Sequence, residues 1–234
     1  MRFMVIRRAD GGSESVGFPP AQLADAVPAG RWLRPTASAT RLRCSGGQWS
    51  LHDGPFPADE TVAGFAIVDV PSQKAALDWA RGWPGADGEG NVELEVRETG
   101  CSGGCHSIDT GEAPRLTPYV VLLRSDTTTE LDLIPPPQVI ESMNRRNEEG
   151  ARAGTVLAGA GLQPTSKGAR LRFRAGRATV IDGPFTEIKE LIAGFWLIQT
   201  ATRQEAYDWV MTYPFPMLPD VTLELREVAV PARA

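Results

Sequence analysis

The chain contains few histidines and cysteines, two of the residue types that often bind metals or carry out catalysis. Its 234 residues include two histidines and three cysteines, and an odd number of cysteines argues against a disulfide framework. No run of 18 apolar residues predicts a transmembrane helix. The net charge of −5 does not favour binding to nucleic acids or anionic membranes, because both require clustered positive charge. Composition therefore predicts neither a nucleic-acid nor a membrane partner.

Several sequence signatures are missing as well. We find no phosphate-binding glycine loop, dinucleotide fingerprint or Ser/His/Asp signature in a credible context, and we therefore expect no organic cofactor. Residues 1–6 begin directly with a strand pattern and lack the long apolar segment of a secretory signal. This predicts a cytoplasmic protein.

The most informative feature of the sequence is a repeat. Asp-Gly-Pro-Phe occurs at residues 53–56 and again at 182–185, an offset of 129 residues. Such a tetrapeptide forms a turn, because Gly tolerates positive φ and Pro fixes φ. The flanking sequences also match, as in residues 92–98 and 221–227. The match indicates an internal duplication of a domain-sized unit. We predict units at 1–98 and 117–230, joined by a Gly/Ser/Cys linker at 99–116.

Hydrophobic periodicity predicts the same order of elements in both halves. Each half reads β-α-β-β-α-β with an extra hairpin strand before the Asp-Gly-Pro-Phe turn, which is the ferredoxin-like order. One of these helices is predicted at 73–81 with Ser72 as its N-cap. The second sheet face of each half is still apolar and needs a cover. We therefore predict an α+β fold in which two ferredoxin-like units form an intramolecular pseudo-dimer.

The first helix differs between the halves. Pro135–Pro137 introduces a predicted helix at 138–153, but the stretch from Phe3 to Leu33 is 13 residues shorter than the stretch from Tyr119 to Leu162. Either the first unit has drifted and only supports its partner, or its short helix leaves an open groove beside its sheet.

Residues 182–196 and the preceding Leu-Gln-Pro at 162–164 resemble the YCII-related superfamily, specifically the branch named for its Asp-Gly-Pro-Phe motif. The first half keeps the motif but has no lysine in residues 57–61 to correspond to Lys189. The resemblance implies a dimeric α+β barrel of ferredoxin-like units.

The resemblance also implies two kinds of function. The wider superfamily is suspected of enzymatic activity from a His/Asp pair, a relative resembles a dehydrochlorinase acting on a chlorinated hydroquinone, and related barrels include muconolactone isomerase and small monooxygenases. The superfamily's helix histidine is absent from residues 138–153. We expect a small-molecule-binding, cofactor-independent acid/base enzyme of isomerisation, elimination or cyclisation, in secondary or catabolic metabolism. The alternative is a non-catalytic regulatory module that works with an extracytoplasmic-function sigma factor. Either a monomeric pseudo-dimer or a homodimer is expected.

Three residues at the repeated turns are catalytic candidates. Asp53 and Asp182 can act as general bases if burial raises their pKa, or they can hold the turn through backbone hydrogen bonds. His52 is suited to move protons near neutral pH. Adjacent strand residues point to opposite faces, however, so His52 and Asp53 need not share a pocket.

Three further groups of side chains are candidates for binding. Glu187 and Lys189 are candidates for substrate binding, with a solvated ion pair as the alternative. Cys101, Cys105 and His106 could supply three of four zinc ligands. Their spacing is unusual and no second Cys/His pair lies in the linker, although Cys44 could reach it from the first half. We therefore favour a flexible linker with incidental thiols and no metal, with a redox-labile disulfide as a further alternative. Arginines at 170, 172 and 174, echoed at 41 and 43, predict a solvated outer face, with an anion-binding surface as the alternative.

Overall fold

The computed structural model describes residues 1–185, 191–215 and 220–229. The first half consists of β1 (Arg2–Arg8), α1 (Ala21–Ala26), β2 (Gly30–Trp32), β3 (Thr40–Ser45), β4 (Gln48–Asp53), β5 (Val62–Asp69), α2 (Gln73–Arg81) and β6 (Glu93–Glu98). A short strand β7 (Ile108–Asp109) lies in the linker. The second half consists of β8 (Thr117–Arg124), α3 (Thr127–Glu130), α4 (Pro137–Arg152), β9 (Val156–Gly161), β10 (Ala169–Arg174), β11 (Arg177–Asp182), β12 (Ile192–Thr200), α5 (Arg203–Thr212) and β13 (Asp220–Glu227).

The strands form two antiparallel sheets, and each sheet takes its hairpin from the other half of the chain. One sheet has the order β11-β10-β6-β1-β5-β2 and the other β4-β3-β13-β8-β12-β9-β7. Hairpin β10–β11 of the second half therefore extends the first-half sheet through β6, while β3–β4 extends the second-half sheet through β13. The fold is α+β, as predicted, but the exchange of hairpins was not part of the prediction.

The two sheets share an apolar core. It combines Met4, Ile6 and Phe65 of the first half with residues such as Leu122 and Phe195 of the second. The rings of Phe65 and Phe195, which occupy equivalent positions in the repeat, lie 5.2 Å apart between centroids. Each half thus covers the apolar sheet face of the other.

The helices cover the outer sheet faces, and the first half compensates for its short α1 with large side chains. Helix α2 begins where predicted, because the Ser72 side chain accepts a hydrogen bond from the amide of Ala75. The indole of Trp32 is buried against Phe18 and Trp83, at ring-centroid distances of 5.5 and 5.9 Å. These aromatic groups fill the space that the short helix leaves. Within the described residues, these side chains occupy the position at which an open groove was considered.

None of the helices in the described part of the chain is long and apolar enough to cross a membrane.

The Asp-Gly-Pro-Phe turns dock against the preceding 3-10 turn of their own half. A Cβ on Gly54 would lie 1.8 Å from the carbonyl oxygen of Thr36, and Gly183 stands in the same relation to Thr165. The amide of the following phenylalanine donates to the threonine hydroxyl in both halves, at 3.1 and 3.2 Å. The glycine is therefore required by close backbone approach, and the motif is an anchor for the loop.

Each motif phenylalanine also lies beneath an arginine of the exchanged hairpin. The guanidinium carbons of Arg41 and Arg170 lie 4.0 and 4.1 Å from the centroids of Phe56 and Phe185. A cation held this close to an aromatic ring is attracted to its face. The motif of each half is thereby tied to the strand pair that joins the two halves.

The same arginines enter buried ion pairs across the exchanged strands. The Nε of Arg170 donates to Glu95 at 3.0 Å, and the Nε of Arg41 donates to Glu224 at 3.0 Å. The two glutamates are 1% and 0% exposed. A solvated face was therefore the wrong prediction for Arg41 and Arg170, because their partners are buried in the other half.

Candidate functional site

A cavity of about 100 Å³ lies in the second half, between the outer face of its sheet and helix α4. The sheet contributes Leu123, Trp196 and two glycines, Gly161 and Gly194. Gly161 lets the linker approach the strand closely, because a Cβ there would lie 3.3 Å from the Cβ of Cys101. Helix α4 contributes Met143 and Asn147, and the linker closes the cavity with residues 101–106. The walls are mostly apolar, which is the usual character of a small-molecule site.

Asn147 is the polar group at the bottom of this cavity. Its side chain is 5% exposed, and its Oδ1 accepts hydrogen bonds from Trp196 Nε1 at 3.1 Å and from the hydroxyl of Tyr213 at 2.7 Å. Because both partners donate, the oxygen is fixed, and within residues 1–185, 191–215 and 220–229 no acceptor is bonded to the Nδ2 amide. The amide hydrogens are therefore available to an acceptor atom in the cavity.

The surroundings of Asn147 hold its orientation. Burial raises the pKa of the Tyr213 phenol, although its hydrogen bonds to Trp196 and Asn147 oppose this shift. The phenol therefore stays protonated and remains a donor to Asn147. The rings of Trp196 and Tyr213 lie 4.9 Å apart between centroids, a distance typical of a stable aromatic pair.

The linker forms a lid over the cavity. Cys101 and Cys105 are joined by a disulfide, and Ser102 donates to both carboxylate oxygens of Asp132 at 2.8 Å. Lys167 donates to the same carboxylate at 3.0 Å. Although burial, the largest contribution, acts in the opposite direction, these hydrogen bonds lower the pKa of Asp132. Asp132 is therefore an ionised anchor for the lid.

His106 lies at the mouth of the cavity, directly after the disulfide. Its backbone amide donates to Asn144 at 2.8 Å, and its Nδ1 lies 3.4 Å from a carboxylate oxygen of Glu148 on α4. The imidazole is 62% exposed. It is the one ionisable ring among the cavity residues, and histidine is the side chain best suited to exchange protons near neutral pH.

The structure does not bring the predicted catalytic residues into this cavity. Asp53, His52 and Asp182 are all exposed and lie at the ends of the exchanged hairpins, away from the cavity walls. Asp53 accepts a hydrogen bond from the hydroxyl of Thr40 at 2.7 Å, while His52 lies 3.2 Å from the hydroxyl of Ser50. The burial on which a general-base role for either aspartate depends is missing.

The other predicted residues fall into two groups. Glu187 and Lys189 lie outside the described residues. Cys101 and Cys105 are bonded to each other, whereas the sequence favoured incidental thiols, so in this state neither is available as a thiolate ligand. Among the residues that the structure describes, no group of three or more His, Cys, Asp or Glu side chains is placed to hold a metal.

Two residues of the cavity were missed by the sequence reasoning. Asn147 belongs to no recognisable motif. Its position on the inner face of the predicted helix was the one feature of the sequence that could have identified it. Gly161 was detectable, because the repeat aligns it with Trp32 directly before the matching Leu162 and Leu33. A large aromatic in one copy and a glycine in the other marks a difference in volume at the same strand position.

The fold is that of a tandem α+β protein, and a small, mostly apolar cavity lies in its second half. The sequence comparison is more specific. The family model of the YCII-related domain matches residues 1–99 and again residues 119–228. The chain belongs to the YCII-related family, in two tandem copies.

A curated relative is similar to part of the chain. It is the uncharacterized protein R00369 of Rhizobium meliloti (strain 1021), 41% identical over 70 residues, which is 30% of this chain. The aligned part spans 54% of that relative's length. This similarity adds no activity, because the relative has none assigned in its name.

Proposed function

We propose that the protein binds a small organic molecule in the second-half cavity and catalyses an acid/base reaction on it without an organic cofactor. The observation that carries the proposal is the buried Asn147, whose amide hydrogens face an apolar cavity without a described partner. A ligand oxygen in the cavity could accept a hydrogen bond from this amide, to which the described residues bring no acceptor. A compact molecule with an apolar body and one carbonyl oxygen fits these walls.

The reaction follows from the relative positions of Asn147 and His106. An amide that donates to a carbonyl oxygen stabilises the negative charge that develops there when a neighbouring C–H is deprotonated. His106 at the cavity mouth is the base that takes this proton and can return it at another carbon. This sequence is an isomerisation, and loss of a leaving group instead makes it an elimination. Both are reactions that the family resemblance suggests, in secondary or catabolic metabolism.

The organisation of the fold supports a finer assignment. We infer that residues 1–98 and 117–230 are two ferredoxin-like units of the Asp-Gly-Pro-Phe branch, joined by the linker 99–116 into an intramolecular pseudo-dimer. The strand orders β6-β1-β5-β2 and β13-β8-β12-β9 agree between the two units. We further expect the protein to act in the cytoplasm.

The test is binding of small aromatic and alicyclic ketones by ligand-observed NMR. We expect a subset of them to bind the native protein and to lose binding in Gly161→Leu, which fills the cavity. His106→Gln should retain binding but lose hydrogen–deuterium exchange at the carbon next to the carbonyl. Binding that survives in Gly161→Leu would place the site elsewhere, and exchange that survives in His106→Gln would remove the proposed base.

One observation favours the alternative, a regulatory module. Leu131, Leu133 and Ile134 are 65%, 57% and 60% exposed and follow one another beside the lid, where they form an apolar strip. Such a strip can dock a partner protein, and the resemblance suggests an extracytoplasmic-function sigma factor. Co-purification with such a factor that is lost in the variant Leu133→Asp would support this role.

A further inference from the structure

A second, polar cavity lies where the exchanged hairpin β3–β4 joins the second-half sheet. It has a volume of about 310 Å³ and is lined by arginines from two strands, Arg41 and Arg43 of β3 and Arg124 of β8. Ser125, Thr129 and Thr222 add hydroxyl groups to its walls. The cavity adjoins the one described above at Leu123 and Thr129, but its walls are of a different chemical character.

Two buried donors in this cavity have no partner within the described part of the chain. They are Nη2 of Arg41 and the hydroxyl of Ser125, and Ser125 is 9% exposed. Buried donors are almost always hydrogen-bonded. Two orphaned donors on the wall of one cavity therefore indicate an acceptor that is bound when the protein is in use.

The cavity is lined by three arginines and three carboxylates. Arg124 donates to the backbone carbonyl of Glu60 at 2.6 Å, but in the described part of the chain it is not closely paired with a carboxylate. The Arg124 side chain is 8% exposed, and its nearest described carboxylate oxygen, on Glu224, is 3.8 Å away. Burial, together with the neighbouring Arg41 and Arg8, lowers the pKa of Arg124 to about 10, although Glu224 and Glu60 oppose this shift. An added anion would stabilise the charged form of Arg124.

The repeat provides an internal reference for this site. At the equivalent position of the other sheet, Arg172 pairs with Glu93, its Nε donating at 2.9 Å. The strand register that pairs Arg172 with Glu93 pairs Arg43 with Thr222. The threonine has no carboxylate to offer, and among the residues that the structure describes Arg43 makes no ion pair like that of its counterpart. The two copies therefore differ in how this arginine is balanced.

The walls also carry acidic groups, which limit the site to a small anion. Glu60 is bonded to Arg41 at 3.0 Å, and Asp126 caps α3 by accepting from the amide of Thr129 at 2.8 Å. Asp220 lies at the exposed start of β13. Two of the three carboxylates are thus engaged, while Asp220 opposes an anion.

We propose that this cavity is a binding site for a small oxyanion, held by Arg43, Arg124, the free Nη2 of Arg41 and the hydroxyl of Ser125. Tetrahedral phosphate and planar carboxylate groups share this chemistry, because both present several acceptor oxygens to guanidinium donors. The site needs no ligand in the apolar cavity, and its test is independent of catalysis.

The experiment measures the thermal unfolding midpoint of the full chain against inorganic phosphate and, separately, against acetate, at constant ionic strength set with sodium chloride. We expect a saturable rise with at least one of the two anions. A response to phosphate alone assigns a tetrahedral ligand, a response to acetate alone a carboxylate, and a response to both the shared chemistry.

Variants separate a specific site from general salt effects. Arg43→Ala should weaken the apparent affinity about tenfold, since a charge-assisted hydrogen bond is lost, and Ser125→Ala should weaken it less. Arg172→Ala, the matched control at the equivalent position, should respond like the native chain. Asp220→Asn should tighten binding. Equal responses of Arg43→Ala and the native protein, or no response to either anion, would overturn the proposal.

Discussion

The two halves of this chain share a fold but differ in what occupies the space above the sheet. In the first half Trp32 fills that space, and Arg7 and Asp87 form a buried ion pair there at 2.8 Å. In the second half the equivalent of Trp32 is Gly161, and the equivalent of Arg7 is Leu123. The cavity exists because small and apolar residues replace large and charged ones at matched positions.

The difference teaches that one frame can hold a filled half and a half with a cavity. The first half has an α1 of six residues and a filled space above its sheet, and it provides hairpin β3–β4 to the half that contains the cavity. The buried pairs that join the halves, Glu95 with Arg170 and Glu224 with Arg41, are the same on both sides. What the copies share holds the protein together, and what differs between them creates the site.

The largest effect is expected from removing the side chain that closes the first half. Trp32→Ala should lower the free energy of unfolding by about 3–5 kcal/mol, the usual cost of truncating a buried tryptophan. Gly161→Ala, at the matched position, should change it by no more than about 1 kcal/mol. Urea denaturation measures both. A cost below about 1 kcal/mol for Trp32→Ala would mean that Trp32 does not support the first half as described.

Breaking one of the buried glutamate–arginine pairs that both halves share should give the next largest loss of stability. Glu95→Gln leaves buried arginines without their carboxylate and should cost about 3 kcal/mol at neutral pH, the lower end of the range for breaking a buried pair. Burial, the largest contribution, raises the pKa of Glu95, but Arg97, Arg8 and Arg170 outweigh it and lower the pKa.

The lowered pKa of Glu95 also predicts how the stability difference between native protein and variant depends on pH. A carboxylate whose pKa is lowered on folding stabilises the protein fully above its unfolded pKa of about 4.3, and the stabilisation is lost as pH falls towards the folded value. The difference between native protein and variant should therefore shrink below about pH 4. Unfolding free energies between pH 3 and 7 measure this, and a difference independent of pH would contradict it.

The disulfide of the lid lies in the linker, over the second-half cavity, and should have a moderate effect. Reduction, or replacement of both Cys101 and Cys105 by serine, should cost roughly 2 kcal/mol of stability, as expected from loop entropy for so short a loop. It should also weaken ligand binding in the cavity. Cys44→Ser is the control, because Cys44 is a free thiol. Binding that is unchanged by reduction would remove the lid from the site.

The smallest effect concerns the repeated aspartates. Asp53→Ala removes the acceptor of the Thr40 hydroxyl and should cost about 1 kcal/mol. Asp182→Ala should cost less than about 0.5 kcal/mol, typical of a surface substitution, because Ala169 stands where the first half has Thr40. Neither variant should change ligand binding. Loss of turnover in either would restore the catalytic role that the sequence suggested for these residues.

Local patterns predicted much of the secondary structure. Helix α2 begins and ends at the predicted residues, Gln73 and Arg81, because Ser72 caps it and its apolar spacing is regular. Helix α4 at Pro137–Arg152 lies within a residue of the prediction. These features depend on interactions between neighbours in sequence, which a single sequence displays directly.

The hairpin exchange and the cavity depend on distant partners. The alternation in β3 is the same whether the strand joins its own sheet or the other, so the pattern alone does not identify the partner. The sequence predicted general-base roles for the aspartates of the motif because carboxylates can accept protons. In the structure, it is the Gly and Phe of the motif that anchor the loop. Asn147 acquires its importance through Trp196 and Tyr213, which lie 49 and 66 residues away in the chain.

The exchanged hairpins also govern the order in which the molecule can be completed during synthesis. When the first repeat has emerged from the ribosome, β6 has no neighbour on its outer side and β3–β4 has no sheet to join. The missing partners are β10 at Ala169–Arg174 and β13 at Asp220–Glu227, both in the second repeat. Contacts this distant form slowly, and an open strand edge can pair with another chain meanwhile. A nascent chain halted after its first repeat therefore presents β6 to any neighbouring copy of itself, and faithful assembly depends on the second repeat arriving first.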